Sequence, residues 1–226
     1  MTDHASSAPH IRQNSPLRGK HLLFLGSSIT AGAAAQGESF AEALAARTGC
    51  IATKEAVSGT TLADLGPDSY VARLKRLDRA LRPDLFICQL STNDASQGLP
   101  LGTVSPSPAA QDADTGSVAG AIEFIIDFVR STWHCPVLFY TSPRFDSPAY
   151  GAMVALLRDI ADKRHIGVID LWNDADFNAV TPAQRAAFMA DCVHPTARGY
   201  REWWAPAMER QIVAFLAQSA PQKAAP

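Results

Sequence analysis

The stretch His21-Leu22-Leu23-Phe24-Leu25-Gly26-Ser27-Ser28-Ile29-Thr30 decides the architecture. Its first half is an apolar run of strand length without alternation, which reads as a strand buried on both faces. Gly26 ends the run, and a helical pattern follows from about Thr30 to Arg47.

The same alternation repeats along the chain. Ile51 to Val57 is a second, more polar strand, as suits a position near an edge. Asp68 can cap a helix that carries Tyr70, Leu74, Leu77 and Leu81 on one face. Asp84 to Leu90 is a third strand, and Val118, Ile122, Ile125, Ile126 and Val129 mark an amphipathic helix. Pro136 to Thr141 is a fourth strand. Ser147-Pro148 supplies a cap and a first-turn proline for a helix through Met153, Leu156, Leu157 and Ile160. Ile166 to Leu171 is the fifth strand. Thr181-Pro182-Ala183-Gln184 is a capping box that opens a short helix. Thr196 precedes the last helix, where Trp204, Met208, Ile212 and Phe215 recur at helical spacing. Strands that alternate with helices predict an α/β protein of the flavodoxin-like three-layer type, a central parallel five-stranded sheet with helices on both faces.

The 226 residues, 47% hydrophobic and 19% charged, suit one globular domain. Residues 1–17 are polar and Ser/Pro-containing and read as a flexible arm, 18–218 as the single domain, and 219–226 as a flexible tail. A formal net charge of −2 gives no basis for binding nucleic acid or an anionic membrane. No run of about 18 apolar residues exists, so no membrane span is expected. The first residues lack a basic segment followed by an apolar one, and the expectation is a soluble, cytoplasmic protein. Cys50, Cys88, Cys135 and Cys192 form no Cys-x-x-Cys pair, which argues against zinc, and neither a metal nor an organic cofactor is expected.

Ligands of such sheets bind beyond the carboxyl ends of the strands. Ser28 follows the first strand, Gly59 the second and Asn93 the third, so all three fall on that edge. Taken singly, each has an ordinary reading. Ser28 could cap a helix or cradle a phosphate, Gly59 could serve a turn, and Asn93 an Asx turn. Among the six histidines, His4 and His10 lie in the arm. His21, His134 and His165 precede or begin strands and so belong to the opposite edge. His194 remains, in a loop free to reach Ser28. Asp191 stands three residues before it, a spacing that lets one turn join carboxylate and imidazole. Asp170, Asp174 and Asp176 are rival acids that would need more ordering. Cys192 lies between Asp191 and His194 as a rival nucleophile, but Ser28 has the better turn context.

The stretches Gly26-Ser27-Ser28-Ile29-Thr30, Val57-Ser58-Gly59-Thr60, Leu90-Ser91-Thr92-Asn93-Asp94 and Asp191-Cys192-Val193-His194-Pro195 come in this order. Together they resemble the four blocks of the SGNH hydrolases, also called GDSL esterases and lipases, from near residue 21 to near 217. The resemblance implies an ester hydrolase with Ser28 as nucleophile, His194 as base and Asp191 as its orienting acid. It further implies an oxyanion hole of Ser28, Gly59 and Asn93. The expected partner is a small-molecule ester, with a small acyl or carbohydrate-linked one favoured. A phosphate-binding module and an acyltransferase using the same residues are the alternatives. Two positions depart from the family pattern: Ser27 stands where Asp is usual, and Ser91 where Gly is more common. Asp94 would then hold its loop. The long segment Ala95 to Asp114, with Thr141 to Phe145, is expected to shape the substrate pocket.

Overall fold

In the computed structural model, which describes residues 14–106 and 113–219, the opening apolar run is β1 (His21–Gly26), and Leu22 to Leu25 are wholly out of solvent. β2 (Ile51–Ala56), β3 (Leu85–Gln89), β4 (Val137–Tyr140) and β5 (Gly167–Ile169) complete a five-stranded sheet in the order β2-β1-β3-β4-β5. Every pairing is parallel, with Leu22 set between Ala52 and Leu85. β2 is an edge strand and the more exposed one, as its polar sequence predicts.

Successive strand residues point to opposite faces. Leu23, Leu25, Phe86 and Cys88 therefore pack under α3 (Tyr70–Arg76), α5 (Val118–Thr132) and α6 (Pro148–Arg164). Leu22, Phe24, Ile87 and Tyr140 pack under α2 (Phe40–Thr48) and α10 (Ala205–Ser219). Two apolar layers on one sheet explain why β1 shows no polar alternation. Phe40 locks the second layer, with its ring 5.1 Å from Tyr140 and 5.7 Å from Trp204.

Three local expectations are corrected. The helix expected from Thr30 to Arg47 is broken into α1 (Ser28–Ala31), a 3-10 turn at Ala33–Ala35, and α2. Gly32 and Gly37 take left-handed backbone, φ 78° and 87°, and Ser39 with Glu42 forms a capping box that starts α2 afresh. The alanines favour helix, but the chain must double back here. A Cβ on Gly32 would lie 2.5 Å from the Glu38 carbonyl oxygen. Gly32→Ala is therefore expected to destabilise by more than about 1 kcal/mol, seen as a lower urea midpoint with an unchanged slope.

The second correction concerns α3. Ser69, not Asp68, is its cap, accepting from the Ala72 N–H at 3.0 Å. The helix stops at Arg76, so Leu81 is not on it and instead packs against the same core from the following loop. Third, Leu17, placed by its sequence at the end of the arm, is buried in the α2/α10 layer. Residues 1–13 and 220–226, most of the expected arm and tail, lie outside the described residues. Among the described residues no helix is long and apolar enough to cross a membrane.

Candidate active site

β1 delivers Ser28 to the carboxyl edge. Gly26 ends the strand, Ser27 takes the cap position, and Ser28 opens α1 with 7% of its surface exposed. His194 arrives from the far end of the chain, between α8 (Pro182–Phe188) and α9 (Ala197–Gly199). Its loop is pinched closed by an antiparallel bridge of Met189 and Pro195, with the Ala190 N–H on the His194 carbonyl and the Thr196 N–H on that of Phe188, both 2.8 Å. Gly199 allows the close approach, since a Cβ there would meet the Phe188 carbonyl at 2.1 Å.

Within this loop Asp191 does two jobs. One carboxylate oxygen accepts the N–H groups of Val193 and His194 at 2.8 and 2.7 Å. The other lies 2.7 Å from His194 Nδ1. Partial burial pushes the Asp191 carboxyl up, but the bonds from the His194 ring and from the two N–H groups outweigh it and hold it below the ordinary aspartate range. An ionised carboxylate can only accept, so Nδ1 carries a proton, and in the neutral ring Nε2 presents its lone pair. His194 Nε2 sits 2.7 Å from Ser28 Oγ. The hydroxyl can donate along that line, so the arrangement can move a proton off Ser28.

The two sides of this contact are bolted together. The last helix begins with a π-helical turn, Tyr200–Trp204, and the Tyr200 hydroxyl donates to the Ile29 carbonyl of α1 at 2.6 Å. Trp203 stacks between Phe177 of α7 (Ala175–Asn178) and Phe188, with ring centroids 4.4 and 5.8 Å apart.

Gly59 lies in the loop after β2 at φ 80°, and among the described residues beyond its chain neighbours no atom comes within 4 Å of where a Cβ would sit. The backbone conformation, not crowding, asks for glycine there. Asn93 lies in the first turn of α4 (Thr92–Ser96), capped by Ser91. Its Nδ2 donates to the Thr60 carbonyl at 2.8 Å, which aims the amide at the Gly59 loop and leaves its second N–H for another acceptor. Asp94 accepts the N–H groups of Leu62 and Ala63 at 2.8 and 2.9 Å and so holds that loop. Burial raises its carboxyl, against the pull of those two bonds.

Arg73 was not among the residues read from the sequence. Its buried guanidinium donates to the carbonyls of Gly26 at 2.7 Å and Glu55 at 3.1 Å, and to Thr60 Oγ1 at 3.1 Å. It thus clamps the ends of β1 and β2 to the Gly59–Thr60 loop. A lone arginine among Lys75, Arg76 and Arg79 carries no sequence signal that separates it from surface charge.

The rival groups stand elsewhere. Asp174 caps α7, and Asp170 bonds Asn173 and Thr141. Cys192 is an exposed free thiol. His21 begins β1 and its ring meets Thr53, while His134 follows α5 and His165 caps the end of α6, all on the amino edge. The segment expected to shape the pocket starts beside Asn93, where the N–H groups of Gln97 and Leu99 donate to the carbonyls of Asn93 and Asp94. Pro100 and Leu101 accept from the first turn of α5, and Ser105 is held by Glu123 on α5 and by Lys163 in the last turn of α6. Pro100 to Ser105 therefore lie along α5 and reach α6. Residues 107–112 lie outside the described residues. Phe145 and Arg144 line a cavity of about 540 Å³ with Trp172 and Arg158, and neither Ser28 nor His194 borders it.

The sequence and the fold correspond to a known class of hydrolase. Residues 24–202 match the GDSL-like Lipase/Acylhydrolase family, and the chain belongs to that family. It is thus a hydrolase of the acylhydrolase type. Comparison with curated proteins finds no match. Among solved structures, a protein from Lactobacillus plantarum is 22% identical with a TM-score of 0.70, over 89% of this chain and 98% of that one. A protein from Bacteroides ovatus described as a GDSL-like lipase is 16% identical, TM-score 0.62, over 88% and 99%. A family two carbohydrate esterase from Clostridium thermocellum, solved in complex with cellohexaose, is 15% identical, TM-score 0.63, over 88% of this chain and 65% of that one. At these identities the likeness is one of fold.

Proposed function

We propose that this protein hydrolyses a carboxylic ester through an acyl-enzyme on Ser28. The observation that carries the reading is the unbroken line from Ser28 Oγ through the His194 ring to Asp191, with both links 2.7 Å long. Ser28 Oγ attacks the ester carbonyl carbon as its proton passes to His194 Nε2. The carbonyl π electrons move onto oxygen, which the N–H groups of Ser28 and Gly59 and the free N–H of Asn93 receive. Collapse expels the alcohol, which takes the proton from His194. Water then gives a proton to the same nitrogen and attacks the acyl carbon, and Ser28 leaves with that proton as the acid departs. Asp191 stays ionised and stabilises the transient imidazolium.

The favoured substrate is a small acyl or carbohydrate-linked ester. Its support is the fold shared with a carbohydrate esterase. The test is a screen of p-nitrophenyl esters of rising chain length together with acetylated sugars. Turnover that is fastest on the shortest esters and on the sugars is expected; turnover that rises with chain length sinks this substrate assignment. A serine-directed phosphonate separates the enzyme from a phosphate-binding module, which would stay unlabelled.

Asn93→Ala is expected to lower kcat by about 10²–10³, the usual effect of losing one oxyanion donor. KM should hardly change, because the donor matters most once charge has developed. A rise in KM alone would make Asn93 a ground-state binding group.

A further inference from the structure

α1 has four residues, too few to hold its own conformation. The turn around Ser28 must therefore be imposed from outside, and the side chain of Gln89 reaches it. Gln89 is the last residue of β3, is wholly buried, and lies 62 positions from Ser27. Its Oε1 accepts the N–H of Ser27 at 3.0 Å and of Thr30 at 3.3 Å. The same oxygen accepts the Thr30 hydroxyl at 2.7 Å and faces the Tyr140 hydroxyl at 3.3 Å. Its Nε2 donates to Ser27 Oγ at 3.1 Å. One amide thus grips the residue before Ser28 and the residue two after it. The grip also accounts for Gly26: a Cβ there would lie 1.7 Å from Thr30 Oγ1 and 2.8 Å from Gln89 Oε1.

We propose that Gln89 is a positioning residue for Ser28, the group whose carbonyl oxygen sets the turn so that Ser28 Oγ meets His194 Nε2. The inference rests on reading Ser28 as the nucleophile. Gln89 acts through the backbone on either side of Ser28 and touches no substrate. Its acceptor oxygen matters more than its N–H₂ donor, since the oxygen takes both backbone bonds. A glutamate in its place can accept the same donors, and the Ser27 hydroxyl can rotate to donate to the second carboxylate oxygen. A methionine of similar volume can accept none of them effectively.

The experiment compares the full-length wild type with Gln89→Met, Gln89→Glu and Ser27→Ala. It measures kcat and KM on p-nitrophenyl acetate, the rate of Ser28 labelling by a phosphonate, thermal stability, and the crystal structure of the Met variant. For a folded Gln89→Met, kcat and labelling are expected to fall by about 10²-fold, the effect of displacing a reacting group by about 1 Å. KM should stay near wild type, and Ser28 Oγ should have left His194 Nε2. Gln89→Glu should recover most of the loss, and Ser27→Ala, which removes the partner of Nε2 but leaves both backbone bonds to Oε1, should label almost normally. The proposal is overturned if folded Gln89→Met labels at the wild-type rate, or if Gln89→Glu is as impaired as Gln89→Met. Should Gln89→Met not fold, Gln89→Asn, one methylene shorter, draws the carbonyl oxygen back from both backbone N–H groups while keeping the amide. A slowed labelling rate then supports the proposal and a wild-type rate overturns it. If the wild type neither cleaves ester nor takes label, the reading of Ser28 has failed. The Met variant's structure still decides the positioning role by whether Ser28 has moved.

Discussion

Ser28→Ala is expected to reduce kcat by a factor on the order of 10⁶ and to abolish phosphonate labelling. Losses of that size follow removal of the nucleophile in serine hydrolases, because the remaining groups cannot act without it. The fold should survive: alanine fits where Ser28 sits, and the turn is held by its neighbours rather than by Oγ. Peptide mass spectrometry of the labelled wild type should place the adduct on Ser28. An adduct on Ser27 or Cys192 overturns the assignment. Cys192 is the instructive rival, since it lies in the His194 loop itself, yet the ring nitrogen facing outward from Asp191 meets Ser28 and not the thiol.

The second large effect concerns the base and its acid. His194→Ala should cost as much as Ser28→Ala, since the two act as one unit. In the wild type, kcat/KM should rise with pH through a single ionisation and then level, because only neutral imidazole can take the Ser28 proton. Asp191→Asn is expected to lower kcat by about 10⁴ with the fold intact. An asparagine can offer an N–H to Nδ1, which favours the tautomer whose Nε2 carries the proton and cannot accept from Ser28. Asp174→Asn should stay near wild type in rate, since Asp174 caps α7. A crippled Asp174→Asn beside a healthy Asp191→Asn would show that a distal acid orients the ring. His134→Ala and His165→Ala should keep the wild-type pH profile, although both residues take positive φ, 53° and 50°, and alanine there should lower stability.

The same carboxylate links folding to pH. The Asp191 carboxyl is held below its ordinary value in the folded chain. Its contribution to stability is therefore present above the unfolded value, about 3.9, and is lost as pH falls through the folded one. Asp191→Asn should remove that part of the acid dependence. The effect is small, because the side chain is half exposed and solvent screens it.

The architecture was legible because each strand announces itself locally. Leu22 to Leu25 are apolar at every position, and only a sheet covered on both faces needs that. The Asp191–His194 pairing was legible for a related reason: three residues of separation leave little chain to order. Gly59 and Asn93 were placed on the right edge by connectivity alone, although the bond from Asn93 to Thr60 spans 33 positions and could not be read. The broken α1–α2 segment was misread because alanines favour helix wherever nothing opposes them. What opposed them was Glu38 folding back onto Gly32.

By itself, then, the sequence determined the order of strands and helices, the edge on which Ser28, Gly59 and Asn93 stand, and the local acid–imidazole pair. Each is a property of residue spacing or of the fixed periods of strand and helix. Only the tertiary structure decided that Gln89 grips the Ser28 turn, that Arg73 clamps two strand ends to the Gly59 loop, and that Tyr200 ties α1 to the helix following His194. Nothing local marks those residues, because their roles lie in bonds spanning 62, 47 and 171 positions. A hydrogen-bond partner that far away is chosen by packing, and packing exists only once the whole chain has folded.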